Sequence, residues 1–215
     1  MKKQIAVIGL GRFGSSVALS LSRLGHEVLG IDSDECKVNE IVHEITHAVV
    51  ADAKDEETLK ALGIRNFDIA IVGIGLDIQS NILVSLMLKE IGVKKVVTKA
   101  QNPLHGKVLE KIGVDHIVYP ERDMGIRVAH NLVTANFMDF IELSNEHSII
   151  ELKAPEKFIG KTLGQLNLRA KYGVSVMAIK KGEKIVVAPG ADADIEKEDL
   201  LVIIGDNKML AKLND

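Results

Sequence analysis

"VIGLGRFG", residues 7–14, places Gly9, Gly11 and Gly14 in G-x-G-x-x-G spacing, between an apolar run and an apolar-periodic one. Alone, such a motif is weak; its setting gives it weight. The run "QIAVIG" (4–9) reads as a strand, the residues from 14 onward read as a helix, and Asp32 closes a second strand, "EVLGID" (27–32). In that setting the glycines permit a tight turn, a close approach of backbone to phosphate, and helix–strand packing. The first turn of the helix then offers unpaired N–H donors to an anion. Asp32 can accept hydrogen bonds from ribose hydroxyls and would repel a 2′-phosphate, which disfavours NADP. The competing reading is a structural glycine turn with no ligand.

Outward from this turn, β-branched runs continue at "HAVVAD" (47–52), "IAIVGI" (69–74), "KVVTKA" (95–100) and "HIVYP" (116–120). Amphipathic stretches at 14–24, 35–45, 57–62, 79–91 and 104–112 separate them. Strands alternating with helices predict a doubly wound, Rossmann-like parallel sheet over residues 1–120. The rhythm changes after Pro120: "ERDMGIRVAHNLV" (121–133) reads as a helix and "NFMDFIEL" (136–143) as a second one, giving a crossover segment over 121–143. Residues 144–215 carry "SIIEL", "VSVMAIK", "KIVVAP" and "LLVIIG", with a hairpin expected around "KGE" (181–183). This is a small α+β module of about 70 residues, thin for independent stability by surface-to-volume scaling, and dimerisation is expected.

Composition narrows the partners. Aromatic residues make up 3% of the chain and Trp is absent, which argues against stacking platforms for single-stranded nucleic acid. A net charge of −3 supplies no basic field for a duplex, so no nucleic-acid partner is expected. The single cysteine, Cys36, excludes an internal disulfide framework and fits a reducing cytosol; in a helical stretch it reads as inert. The run in "MKKQIAVIGL" soon meets Arg12 and is not expected to be a signal peptide. The apolar stretch 69–76, bounded by Asp68 and Asp77, is too short to span a bilayer. The expectation is a cytoplasmic chain that reaches a membrane only through a partner.

Three further motifs carry charge. Arg12, inside the glycine loop, reads either as a guanidinium clamp on an additional phosphate or as a solvated arginine. "HEITH" (43–47) matches the zinc-protease pattern, but "AVVAD" follows at once, so His47 opens a strand while His43 ends a helix. The match is coincidental. In "YPERDMG" (119–125), Glu121 and Asp123 either complement a helix dipole or, for Glu121, share a divalent cation with phosphates. Lys99 and Gln101 end the fifth strand on the sheet edge where ligands bind. No His–carboxylate pair is read after the sixth strand, and no substrate-sized domain is expected. Acid–base chemistry has no evident home.

In this order, "IAVIGLGRFG", "HEVLGIDSDE", "VVADAKDE", "VVTKAQN", "VLEKIGVDHIVYPERDMG" and "LNLRAKYGVSVMAIK" resemble the Ktr/Trk-type regulatory subunits of bacterial potassium uptake systems. These are RCK proteins (regulators of potassium conductance), and the likeness is greatest to the Ktr-type cytosolic gating-ring subunit. The resemblance covers nearly the whole chain. It implies a nucleotide-gated switch rather than an enzyme, with homodimers assembling into an octameric ring beneath a membrane potassium transporter subunit. The resemblance further implies that ATP and ADP exchange in the first module, that NAD or NADH can bind there, and that Mg or Ca can join ATP. Carried over by motif, the nucleotide site comprises Gly9, Gly11, Arg12, Phe13 and Gly14, then Asp32, Ser33 and Asp34, with Asp52 and Ala53. It continues through Ile74, Gly75, Leu76, Lys99, Ala100, Gln101, His105 and Glu121. Arg12 would reach the γ-phosphate and Glu121 the metal ion. Arg169 in "LNLRAKYG" is the candidate for cyclic di-AMP in the C-terminal module. Asp52 departs from members that carry a neutral polar residue there. Two other classes share the glycine turn: a small NAD(H)-dependent oxidoreductase and an NADH-sensing transcriptional regulator. The second would need a basic DNA-reading helix, and no segment offers one.

Overall fold

The structure is a computed structural model that describes residues 2–133, 137–144 and 146–213. The chain forms two compact units, Met1–Glu121 and Arg122–Asp215. In the first, strands and helices alternate as β1 (Gln4–Ile8), α1 (Arg12–Arg23), β2 (Glu27–Asp32), α2 (Glu35–Ile41), β3 (His47–Val50) and α3 (Glu56–Ala61). They continue as β4 (Ile69–Val72), α4 (Ile78–Ile91), β5 (Val96–Lys99), α5 (Pro103–Ile112) and β6 (His116–Val118).

The six strands pair in parallel in the order β3-β2-β1-β4-β5-β6. The chain winds outward from β1 in one direction, then returns to start again at β4. That reversal opens a crevice between the carboxyl ends of β1 and β4, where doubly wound sheets bind ligands. Alternation along the strands feeds two cores. Ala6 and Ile8 pack with Leu59, Val84 and Leu88 on one face. Ile5 and Val7 pack with Ala18, Val38 and Ile41 on the other. A strand such as β1, buried along Ile5–Ile8, needs apolar side chains on both faces, which is why these segments read as continuous apolar runs.

Helix α6 (Pro120–Val133) follows β6. The second unit then holds β7 (Phe137–Glu142), β8 (His147–Lys153), α7 (Leu163–Leu166), α8 (Leu168–Tyr172), β9 (Ser175–Lys181), β10 (Lys184–Val187), β11 (Leu200–Asp206) and α9 (Asn207–Ala211). Its antiparallel sheet has the order β10-β9-β11-β8-β7. Ile150, Leu152, Leu201 and Ile203 form a buried face against Phe158, Leu166, Leu168 and Leu210.

One expectation is corrected. The segment 136–143 is not a second crossover helix: Phe137–Glu142 is strand β7, paired antiparallel with β8 through Phe140↔Ile150 and Ile141↔Ile149. Its aromatic and β-branched residues suit a pleated surface. A register shift between Phe137 and Asp139 breaks the two-residue alternation that would have marked it as a strand. Position 136 lies outside the described residues.

Candidate nucleotide site

The glycine loop is held by main-chain contacts. Gly9 has φ +90°, and its N–H donates to the Ile31 carbonyl at 2.8 Å. A Cβ on Gly14 would lie 1.9 Å from the Gly9 carbonyl oxygen, and one on Gly73 2.8 Å from the same atom. Loop, α1 and the end of β4 therefore meet backbone to backbone. Gly11, by contrast, has open space where a Cβ would be.

Capping singles out α1. Asp34, Asp55, Asp77 and Asn102 cap α2, α3, α4 and α5 with side-chain hydrogen bonds. Helix α1, with Gly11 at its N-cap, has no side-chain cap and no acidic residue in its first turn. Its leading N–H groups and positive dipole end are left for an external anion.

That end opens on a cleft of about 950 Å³. Its walls include Gly9, Gly11, Arg12, Phe13, Asp32, Ser33, Asp52, Ala53, Ile74, Gly75, Leu76, Lys99, Gln101 and Glu121. Fourteen of the residues singled out from the sequence thus converge on one cavity, although they come from six separate segments. Gly14, Asp34, Ala100 and His105 do not line it. Gly14 is spent on helix–strand contact, and Asp34 caps α2 by accepting the Cys36 N–H. Ala100 is buried, its N–H donated to Val118, and His105 is buried behind the wall. In the second unit, Arg169 is exposed on α8. A smaller groove of about 480 Å³ lies at the other end of the strands, beside Gln4, Glu27 and His47. It has no glycine loop and no helix N-terminus.

Asp32 is more deeply built in than a ribose anchor requires. Its Oδ2 accepts the Leu10 N–H at 2.7 Å and its Oδ1 the Asp34 N–H at 2.9 Å, with the side chain 9% exposed. The carboxylate thereby braces the glycine loop against β2. Lys37 approaches Oδ1 at 3.5 Å and Asp34 at 3.7 Å. Sequence reasoning missed this lysine, which partly offsets the repulsion Asp32 would exert on a 2′-phosphate. Lys54, paired with Asp52 at 3.6 Å, Ser15, Glu40, Asp77 and Ser80 were missed as well. Asp77 had a usable signal, a capping residue directly before an apolar-periodic run. Hydrogen bonds from the Ser80 side chain and backbone hold its carboxyl below the usual carboxylate range.

Elsewhere in the cleft lining, the Lys99 ammonium pairs with Glu121 Oε1 and lies 5.9 Å from the centre of the Phe13 ring. Lys99 is 11% exposed, whereas the Glu121 side chain is 72% exposed. The Lys99 hydrogen bond, with a smaller contribution from Arg12, keeps the Glu121 carboxyl below its ordinary range. Gln101 Nε2 donates to the Gly75 carbonyl and joins the β4 and β5 rims. His47 opens β3 while His43 lies in the preceding turn, so "HEITH" does not present two ligands on one helix face. Among the described residues, no group of three His, Cys, Asp or Glu could hold a metal unaided.

The strand order and the cleft over the glycine loop define a Rossmann-type unit, which a small antiparallel unit follows in the chain. The TrkA-N domain family matches residues 5–120, and the TrkA-C domain family matches residues 147–215. The chain is 54% identical over 205 residues to the Ktr system potassium uptake protein C of Bacillus subtilis (strain 168), covering 95% of this chain and 93% of that protein. It is 47% identical over 213 residues to the Ktr system potassium uptake protein A of the same organism, covering 99% and 96%. Among solved structures, the GsuK channel bound to NAD matches with a TM-score of 0.68 at 19% identity, over 99% of this chain and 39% of the channel chain. That likeness shows the fold. The chain belongs to the TrkA-N/TrkA-C family as a Ktr-type RCK protein of potassium uptake. No helix among the described residues is long and apolar enough to cross a membrane.

Proposed function

We propose that this chain is a cytosolic, non-catalytic regulatory subunit that gates a membrane potassium transporter according to the adenine nucleotide in its cleft. The observation that carries this reading is the uncapped α1 N-terminus over a backbone-built glycine loop, with Asp32 lining the same cleft. ATP and ADP are the primary ligands, and NAD or NADH fits the same donors. Arg12, exposed at the first position of α1, is the group for a third phosphate. A divalent cation, Mg or Ca, fits beside Glu121: one carboxylate at the rim suffices when phosphate oxygens supply the remaining ligands. Such an ion would neutralise adjoining phosphate and carboxylate charge. The described residues lining the cleft include no His, Cys or Tyr, and its lysines are paired with its carboxylates, which favours holding a ligand over transforming it.

Assembly is part of the proposal. Met124, Ile126 and Val128 on α6 are exposed, as are Ile141, Ile185 and Val187 on the second unit's sheet. Apolar surface of this kind suits a second copy of the chain, and dimers closing into an octameric ring would present it to a transporter from the cytosol. Cyclic di-AMP, with Arg169 as its contact, is the ligand carried forward for the second unit. The test is thermal and chemical denaturation of purified protein with ATP, ADP, NADH and cyclic di-AMP in parallel. A ligand at 100 times its Kd stabilises by about 2.7 kcal/mol through mass action. Stabilisation by ADP and ATP without turnover is expected; indifference to every adenine nucleotide would end the proposal.

A further inference from the structure

Behind the wall of the cleft lies a fully satisfied polar cluster. Asn81, in the second turn of α4, is 0% exposed and His105, in α5, is 3% exposed. Asn81 Nδ2 donates to the Ile74 carbonyl at 2.7 Å and to the Lys99 carbonyl at 3.1 Å. Its Oδ1 faces His105 Nε2 at 3.1 Å. His105 Nδ1 accepts the Gln101 backbone N–H at 3.3 Å.

These contacts leave one assignment of protons. Two carbonyls require the two N–H bonds of the carboxamide, so its oxygen must point at the imidazole. Gln101 is a donor, so Nδ1 carries no proton. The hydrogen on Nε2 therefore goes to Asn81, and the ring is neutral. Burial, which disfavours the imidazolium, acts in the same direction.

What the cluster joins is specific. Ile74 follows β4 and Lys99 ends β5, and both carbonyls face one buried side chain. Gly75 and Gln101, which line the cleft, are the next or nearly next residues along the chain. We propose that Asn81, oriented by His105, is a positioning residue that sets the spacing of the β4 and β5 rims for a bound nucleotide. On this view His105 acts through Asn81 and Gln101 rather than by touching the ligand. The inference rests on the nucleotide reading of the cleft. A hydrophobic side chain of similar volume would satisfy packing but would leave the Ile74 and Lys99 carbonyls without these donors and the rims free to drift.

The test compares Asn81→Ala and His105→Ala with Ser85→Ala. Ser85 is buried one turn away and bonds the Asn81 carbonyl and Thr98, without touching the carboxamide. ADP affinity is measured by calorimetry, the His105 tautomer by ¹⁵N NMR, and amide exchange over residues 73–77 and 99–103 by mass spectrometry. Asn81→Ala should lose about ten- to hundredfold in ADP affinity, the range for displacing charge-assisted ligand contacts. Exchange should rise at both rims, whereas Ser85→Ala should keep ADP affinity within about twofold, as expected for a change confined to packing behind the wall. The wild type should show the Nε2–H tautomer. If Asn81→Ala fails to fold, His105→Ala carries the same comparison, with a smaller affinity loss and faster exchange at Gln101. Equal ADP affinity in the folded variants and the wild type, or an Nδ1–H tautomer, overturns the inference. Should wild-type protein bind no adenine nucleotide, the proposed function falls, while tautomer and rim exchange still decide whether Asn81 couples the two rims.

Discussion

Replacing Asp32 should produce two separable losses. In the ligand-free protein, Asp32→Ala removes the acceptor of the Leu10 N–H, which sits in a residue 1% exposed. A buried donor left unpaired costs about 1–3 kcal/mol. The Asp34 N–H, the other donor, belongs to an exposed residue, and water can replace its partner at little cost. The ligand-free variant should therefore unfold at lower urea, with a deficit set almost wholly by Leu10. On binding, loss of a charged acceptor for ribose hydroxyls costs a further 1.5–3 kcal/mol or so, about 10- to 150-fold in Kd. Asp32→Asn separates the two effects. Its one oxygen can keep the Leu10 bond while its NH2 meets the Asp34 N–H and the Lys37 ammonium, so ligand-free stability should lie between Asp32→Ala and wild type while ADP and NADH both weaken. Lys37, 3.5 Å from the carboxylate, adds a third sign: without Asp32 only the exposed Asp34 carboxylate, 3.7 Å away, still holds it, so it can turn to a 2′-phosphate and NADPH should weaken less than NADH or gain. Urea denaturation and calorimetry with ADP, NADH and NADPH read all three. If Asp32→Ala is as stable as wild type, the bracing role is refuted; if Asp32→Asn binds ADP and NADH at full strength, so is the ribose contact.

Arg12→Ala should lower ATP affinity more than ADP affinity, since only ATP carries the third phosphate; equal losses in calorimetry would return Arg12 to a solvated surface arginine. Glu121→Gln should abolish the tightening of ATP binding by Mg or Ca while metal-free ATP affinity holds or rises, because a carboxylate beside a triphosphate is repulsive without the ion. An unchanged cation response in titrations of that variant would leave Glu121 as a helix-terminus acid paired with Lys99.

The parts legible in the sequence were those with local causes. Strands such as β1 and β4 announce themselves by β-branched runs, and the glycine loop by spacing that the neighbouring strand and helix make meaningful. Asp32 was readable because the end of β2 lies beside that loop in every fold of this topology. What escaped had non-local causes. Strand β7 exists through its pairing with β8, and a register shift hides its alternation. Lys37 and Lys54 reach the cleft only because α2 and the loop after β3 fold back over it. His105 is hydrogen-bonded to Asn81, 24 residues earlier, and no periodicity links a histidine on one helix to a carboxamide on another.

The meeting of Gly9, Gly14 and Gly73 has a consequence for how the site ages under mutation. Contacts made by side chains have play, since a neighbour can change rotamer and absorb a few tenths of an ångström. Main chain against main chain has none. The proposed phosphate seat is thus built from main chain, and changes in either apolar core should soften the domain by degrees. Substitution at one of the three glycines has no such gradation: the first added carbon lands 1.9 Å, 2.8 Å or 2.9 Å from a backbone atom. Variation should therefore stop abruptly at these three positions.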